Sequence, residues 1–389
     1  MSLRGDAILY VGITGVGVSL HRNRLSFGMN SLVVTWDVSR VLVDLGVVEI
    51  RYYSVLFALG FVLGYFIMKG IFREEGVPAD KLDTLLTYVV IATVIGARLG
   101  HVFFYQWDYY SQHPEEILMI WEGGLASHGA AIAIMVALWI YSKRVSKRSF
   151  FWIIDRVVIT VALAGSLIRL GNLMNSEIYG KPTNGKFAFV YVNPVREVFD
   201  RFFGSEVKEI EIVKTDEWVE TDSLKMPVYA VKLRLDERIA PEMVTAHLSG
   251  RLLPYLRHLD SDEQNLVPYE GSVPELVHNG TNPQVVVKLL GVPRVPSQIV
   301  EAVAYLLIFL VLWLMFFKTP MRQREGFTFG MFLVLVFGFR IVVEFFKANQ
   351  VAFEDELVFN MGQYLSVPLV VAGGAVVVYS LTKKSVQQG

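Results

Sequence analysis

Seven stretches of the chain stay apolar long enough to cross a bilayer, and the polar stretches between them carry most of the charge. They run over residues 53–71, 82–105, 125–141, 151–170, 297–317, 327–346 and 364–381. Roughly 20 helical residues cover the ~30 Å hydrocarbon core, so each run predicts a membrane-spanning helix. The first contains Gly60-x-x-x-Gly64, a spacing of small residues that lets helices approach closely. Between the fourth and fifth runs, over about 186–292, Asp, Glu, Lys and Arg become dense. Here 206–213, 228–235 and 285–290 read as strands and 241–259 as a helix. The expected architecture is an all-α polytopic membrane protein of seven transmembrane helices carrying a small α+β insert. Residues 29–185 hold the first four spans, 186–292 the insert and 293–389 the last three. Residues 1–28 read as a leader or upstream extension, with Met29 as the natural start. Their apolar stretch, 7–20, is followed by His21, Arg22 and Arg24 where a signal peptide would have its small-residue cleavage site. A cleaved signal or a short interfacial segment is the alternative.

Charge orients these spans. Lys143, Arg144, Lys147 and Arg148 fill one short loop, Lys318, Arg322 and Arg324 another, and Lys383 with Lys384 the tail; Lys69, Arg73 and Lys81 follow the first span among acids. All four places lie on one side if the amino terminus is outside, which satisfies the positive-inside rule. The carboxyl terminus is then cytoplasmic and the insert extracytoplasmic. The chain of 389 residues is 53% hydrophobic and 19% charged, too apolar for an ordinary soluble surface. Its formal charge of -1 gives no sign of nucleic-acid binding. The absence of cysteine excludes disulfides, thiolate metal sites and a cysteine nucleophile, so any thiol chemistry uses a thiol brought by the substrate. No phosphate-binding loop, His-Glu-x-x-His motif or Gly-x-Ser-x-Gly elbow occurs, and His247, His258 and His278 are too loosely spaced for a metal. No cofactor or metal is expected.

Ionisable residues inside apolar helices are functional candidates by default, and here they are Arg98, His101, His128, Arg169, Glu301, Arg340 and Glu344. Arg98, His101 and Tyr105 share a helix face. At the end of the fourth span Arg169 and Asn172 are i and i+3, with Asn175 one step further and Glu177 beyond. An arginine, two carboxamides and a carboxylate so placed suit an anionic, hydrogen-bonding head group. Blander arrangements fit the same spacings: a snorkelling arginine beside a helix cap, an interfacial histidine at His128, an i,i+4 ion pair between Arg340 and Glu344, and a helix start in which Ser297 caps Gln298 and Glu301. Taken together, arginines, amides, a histidine and tyrosines suit a phosphate-bearing lipid, because guanidinium forks match phosphate oxygens.

At these residues the chain resembles the prolipoprotein diacylglyceryl transferase family. The pattern recurs in order: Arg51-Tyr-Tyr-Ser; Gly96-Ala-Arg-Leu-Gly100 with Phe104-Tyr105; Trp121-Glu-Gly-Gly124 leading to Ser127-His-Gly129; and Arg169-Leu-Gly-Asn-Leu-Met-Asn-Ser-Glu-Ile-Tyr-Gly180. After the insert come Pro296-Ser-Gln298 with Glu301, Phe339-Arg-Ile-Val-Val-Glu-Phe-Phe346 and Asn360-Met-Gly-Gln-Tyr-Leu-Ser366. The resemblance implies a multi-pass protein of the bacterial inner membrane whose partners are phosphatidylglycerol, lipobox-containing prolipoproteins and membrane lipids. It implies transfer of the diacylglyceryl group of phosphatidylglycerol to the lipobox cysteine, with release of glycerol phosphate. Carried over by motif, the family's essential residues fall on Arg169, Arg340, His128, Tyr53 and Asn172. The set expected to contact phosphatidylglycerol is Arg169, Asn172, Asn175, Glu177, Arg98, Gln298, Glu301 and Glu344. The chain departs from the family pattern at Ile168 and Ser176, where glycine is common, and at Ala130, Val295 and Val300, and its insert is longer than usual. A multispan transporter of an anionic lipid or metabolite is the competing reading; polar groups clustered at one end of the spans and the lack of an inverted repeat count against it.

Overall fold

The computed structural model describes residues 32–383 except 47, 121, 122, 237, 261, 262, 280, 281 and 348–358. The expected leader and the Trp121-Glu122 start of one motif lie outside these residues. In chain order the strands and helices are β1 (Leu32–Trp36), β2 (Val41–Asp44), β3 (Glu49–Arg51), α1 (Tyr52–Glu74), α2 (Ala79–Tyr105), α3 (Trp107–Tyr110), α4 (Ser127–Tyr141) and α5 (Phe150–Met174). There follow β4 (Phe187–Tyr191), α6 (Asn193–Phe203), β5 (Val207–Glu220), β6 (Lys225–Leu235), α7 (Pro241–His247), α8 (Leu253–His258), β7 (Leu266–Val267), β8 (Glu275–Asn279) and β9 (Asn282–Gly291). The chain closes with α9 (Ser297–Lys318), α10 (Phe327–Val343) and α11 (Met361–Thr382). Among the described residues seven helical segments are long and apolar enough to cross a membrane: α1, α2, α4 with the turn that carries it to Ser146, α5, α9, α10 with the turn that carries it to Phe346, and α11.

The chain divides into two compact units. The helical unit takes Val43–Gly171, Ile299–Phe345 and the described residues of Glu356–Gly389. Its helices meet where side chains are smallest. A methyl at Gly60 would lie 3.1 Å from the Ala164 Cβ, and one at Gly64 3.3 Å from the Thr160 Cβ, so the Gly60-x-x-x-Gly64 face is where α1 packs on α5. Gly100 packs on Gly129 more tightly still, with 2.6 Å from an added methyl to the Gly129 Cα, which seats α2 on α4. Away from these crossings Met68, Phe72, Trp152, Leu312 and Phe316 form a buried core. Outward faces present Phe66, Ile91, Ile132, Leu307 and Val371, the surface a hydrocarbon solvent favours. The buried Asp155 carboxylate of α5 accepts from the backbone N–H groups of Gly326 (2.6 Å) and Phe329 (2.8 Å), supplying the first turn of α10 with an acceptor it lacks in its own sequence.

The mixed unit takes the described residues of 1–42, Asn172–Gln298 and Phe346–Asp355. Its antiparallel sheet runs β5-β6-β9-β7, with β8 also on β9. Alternation sorts the β6 side chains. Tyr229, Val231, Leu233 and Leu235 join the core shared with α6, α7 and α8, whereas Met226 and Val228 form a smaller cluster with Leu290 and Val292. The region read as one helix over 241–259 is α7, a π turn at Leu248–Leu252 and α8. The sequence assigned β7 and β8 to no element. It also left 32–36 unplaced, and here that segment is β1, paired in parallel with β4 from Leu32↔Phe187 to Trp36↔Tyr191.

Candidate active site

Arg169 lies in the last turns of α5. Its Nε meets the Glu301 carboxylate at 2.5 Å, and its guanidinium carbon is 5.9 Å from the centroid of the Tyr305 ring. Glu301 and Tyr305 are i and i+4 on α9, so one helix face supplies both partners. Tyr305 also interacts electrostatically with Arg340, and Arg169 with Glu344, which gathers the two arginines and two carboxylates into one cluster of the helical unit. At the end of α10 the expected i,i+4 pair is present: Arg340 Nε lies 3.4 Å from Oε1 of Glu344, the residue that caps the helix, with the Glu344 side chain 7% exposed and that of Arg340 37%. Glu344 is held from α11. Asn360 donates its amide to Glu344 Oε2 (3.0 Å), and a methyl at Gly362 would lie 2.6 Å from Oε1, so only glycine leaves room for the carboxylate. Asn360 and Gln363 form a reciprocal capping box at the start of α11, and the Gln363 amide donates to the Ile341 carbonyl (3.1 Å). Sequence reasoning did not count Tyr305, Asn360, Gly362 or Gln363 as site residues. The Asn-x-x-Gln spacing before an apolar run was the available signal.

A second group surrounds His128. Because Gly100 and Gly129 bring α2 and α4 into backbone contact, His128 comes beside the end of α2: its ring centroid is 5.2 Å from Phe104 and 5.5 Å from Tyr105. A cavity of about 460 Å³ is lined by His101, Tyr105, Gln106, Ser127 and His128. His101 Nε2 is 3.0 Å from Gln106 Oε1, which orients that ring. Arg98, expected on the same polar face, behaves differently. Its Nε, Nη1 and Nη2 donate to the carbonyls of Ile117 (2.8 Å), Gly123 (2.7 Å) and Glu116 (2.6 Å), so its guanidinium ties Glu116 and Ile117 to Gly123. Gly124 follows at φ +68, where an added methyl would meet the His101 ring at 2.5 Å. Tyr53, at the start of α1, packs its ring on Gly171 of α5 and lines a larger apolar cavity, as does Ile168.

The amide residues form a separate arrangement in the mixed unit. Asn172 and Asn175 both donate to Glu177 Oε1, at 2.8 and 3.2 Å, and the Gln298 amide donates to the Glu177 carbonyl at 2.8 Å. Tyr191 donates to Gln298 Oε1 (2.9 Å); burial pushes its hydroxyl pKa up, which keeps that donor protonated. Ser297 gives its hydroxyl to the Ile178 carbonyl (3.0 Å). The carboxamides therefore clasp the 172–180 turn, whose backbone is strained: Ser176 has φ 53 and Ile178 φ 57. Ser176 is one of the positions where the family motif commonly has glycine, and the left-handed backbone is the physical reason. His113, Glu115 and Glu116 bring three potential metal-ligand atoms within 4.8 Å of one another, but in an acidic turn where Glu116 already accepts from Tyr109.

The model of the family described as prolipoprotein diacylglyceryl transferase matches residues 40–379. The chain belongs to this family. A phosphatidylglycerol–prolipoprotein diacylglyceryl transferase of Tolumonas auensis is 34% identical over 350 residues, covering 90% of this chain and 98% of the relative. Proteins of the same name from Chloroherpeton thalassium and Porphyromonas gingivalis are 30% and 32% identical, covering 92% and 87% of this chain and 98% and 92% of the relatives. Within this transferase family's sequence pattern, Tyr53, Arg98, His128, Arg169, Glu301, Arg340 and Glu344 fall in the helical unit, and Asn172, Asn175, Glu177 and Gln298 in the mixed unit.

Proposed function

We propose that this protein transfers the diacylglyceryl group of phosphatidylglycerol to the thiol of a prolipoprotein lipobox cysteine, forming a thioether and releasing glycerol phosphate. The observation that carries the reading is the cluster of Arg169 and Arg340, each set against a buried carboxylate, in a chain of the transferase family. The substrate sulfur attacks the glycerol carbon that bears the phosphate ester; a C–S bond forms, the C–O bond breaks, and its electron pair leaves with the phosphate. Arg169 and Arg340 stabilise that departing charge, and Glu301 and Glu344 hold the two guanidinium groups in place beforehand. His128, exposed at its cavity, takes the thiol proton, and the leaving phosphate receives it. Histidine suits this role because it changes charge near neutral pH, below the ~8.5 of an ordinary thiol. Tyr53 stands at the start of α1 as a further substrate contact. Asn172, Asn175, Glu177 and Gln298 hold the shape of the 172–180 turn, and Arg98 holds Glu116, Ile117 and Gly123 beside the histidines.

The charge pattern supports a bacterial inner-membrane protein with its amino terminus outside, its carboxyl terminus cytoplasmic and the 186–292 insert extracytoplasmic, where secreted preproteins emerge. The test is reconstitution of purified protein with phosphatidylglycerol and a lipobox peptide, following peptide mass and released glycerol phosphate. A diacylglyceryl mass gain matched by glycerol phosphate is expected, and His128→Gln should slow it most below the thiol pKa. Absence of both products from folded, lipid-reconstituted protein would reject the reaction.

A further inference from the structure

The larger cavity of the helical unit, about 720 Å³, lies among α1, α2, α4 and α5. It begins beside Tyr53 and ends at Met68, 15 residues further along α1, which at 1.5 Å per residue is about 22 Å. The two ends differ. At one, Leu125 is 60% exposed and Ser54 and Ser127 are exposed too; at the other, Met68, Leu82 and Leu85 are buried and close the floor, while Phe57, Val94 and Val161 along the sides are 37%, 40% and 41% exposed, so the cavity is open along part of its length. Hydroxyls in the wall are satisfied within the protein: Thr93 donates to the Val89 carbonyl, Thr160 to the Val157 carbonyl and Tyr65 to Asp83. Between mouth and floor the wall therefore offers hydrocarbon and little else. Leu125, Ala126 and Ser127 form a wall shared with the histidine cavity, and Ile168, the neighbour of Arg169, forms another part of the mouth.

The geometry points to a channel, closed at one end and open along part of its side, that takes one acyl chain of the phospholipid substrate and measures its length against the floor of Met68, Leu82 and Leu85. This inference rests on the phospholipid reading of the site. An occupant must be apolar between floor and mouth and polar only at the mouth, where the histidine cavity begins. Half of the ~30 Å hydrocarbon core is about 15 Å, so a channel of about 22 Å holds a chain extended and reads its terminal carbons. Val89 lies one helical turn from Leu85 within the channel, and a larger side chain there would raise the floor.

The test gives the full-length protein a mixture of phosphatidylglycerols with matched chains from short to long, together with a lipobox peptide. Product masses then report every chain length in one reaction, and native mass spectrometry reports which lipids stay bound. Val89→Trp should shift both profiles to shorter chains, with turnover falling roughly fourfold for each methylene denied burial while short chains still react. Leu85→Ala should shift both to longer chains. Parental profiles in both variants would overturn the channel, as would Val89→Trp losing every length alike while Leu85→Ala leaves the profile unmoved. Length-selected lipid binding that moves with the variants, in protein that never modifies the peptide, would uphold the channel and reject the transferase reaction instead.

Discussion

Arg98, Arg156, Arg169 and Arg340 all lie in membrane-length helices of the helical unit, and they divide into two pairs. Arg156 is 3% exposed; its Nε and Nη2 reach Glu75 at 3.0 and 2.6 Å and its Nη1 donates to the Trp152 carbonyl. Arg98 likewise gives all three nitrogens to carbonyls of its loop. These guanidinium groups are consumed by the fold. Arg340, by contrast, is more than a third exposed and meets Glu344 at 3.4 Å, longer than a good hydrogen bond, while Arg169 retains 16% exposure beside Glu301. Burial thus separates Arg98 and Arg156, each 3% exposed, from Arg340, which keeps an exposed face beside its carboxylate.

Variants that remove charge from each pair break or sharpen this contrast. Arg156→Ala leaves Glu75 buried without its main partner and should cost about 3–5 kcal/mol of stability, measured by chemical unfolding in micelles. An unchanged midpoint would erase the distinction between the pairs. Arg340→Lys keeps the charge but loses the planar fork, so turnover should fall about tenfold to a hundredfold at unchanged stability. Parental turnover in that variant would mean Arg340 acts only as a point charge. Asn360→Ala removes both a helix cap and a donor to Glu344, with about 1 kcal/mol lost in stability and a smaller loss of turnover. Were turnover unaffected, the capping box would have no part in holding Glu344. Ser176→Gly relieves the left-handed backbone at φ 53 and should stabilise the protein by about 0.5–1 kcal/mol, readable as a raised melting midpoint. A lowered midpoint would mean that the Ser176 hydroxyl contributes more than the strain costs.

Much of this was legible from local pattern. Spans are long runs of one solvent preference, Gly60 and Gly64 recur at helical spacing, and Arg340 and Glu344 are one turn apart, so each could be read within a single element. Arg98 could not, because its acceptors are the backbone carbonyls of Glu116, Ile117 and Gly123, which carry no side-chain signature. The pairing of β1 with β4 joins Leu32 to Phe187 across the four intervening spans, beyond any local periodicity. Asn172 and Asn175 look from spacing like free head-group ligands, yet the positive φ at Ser176 folds Glu177 back onto them.

The most direct measurement is turnover per folded molecule in Arg340→Ala, with the lipobox-peptide assay and the unfolding midpoint taken on the same reconstituted sample. Loss of a group that stabilises the departing phosphate predicts a fall of about 10²–10³ in turnover at a parental midpoint. Parental turnover from equally folded protein would contradict the assignment of Arg340 to the phosphate.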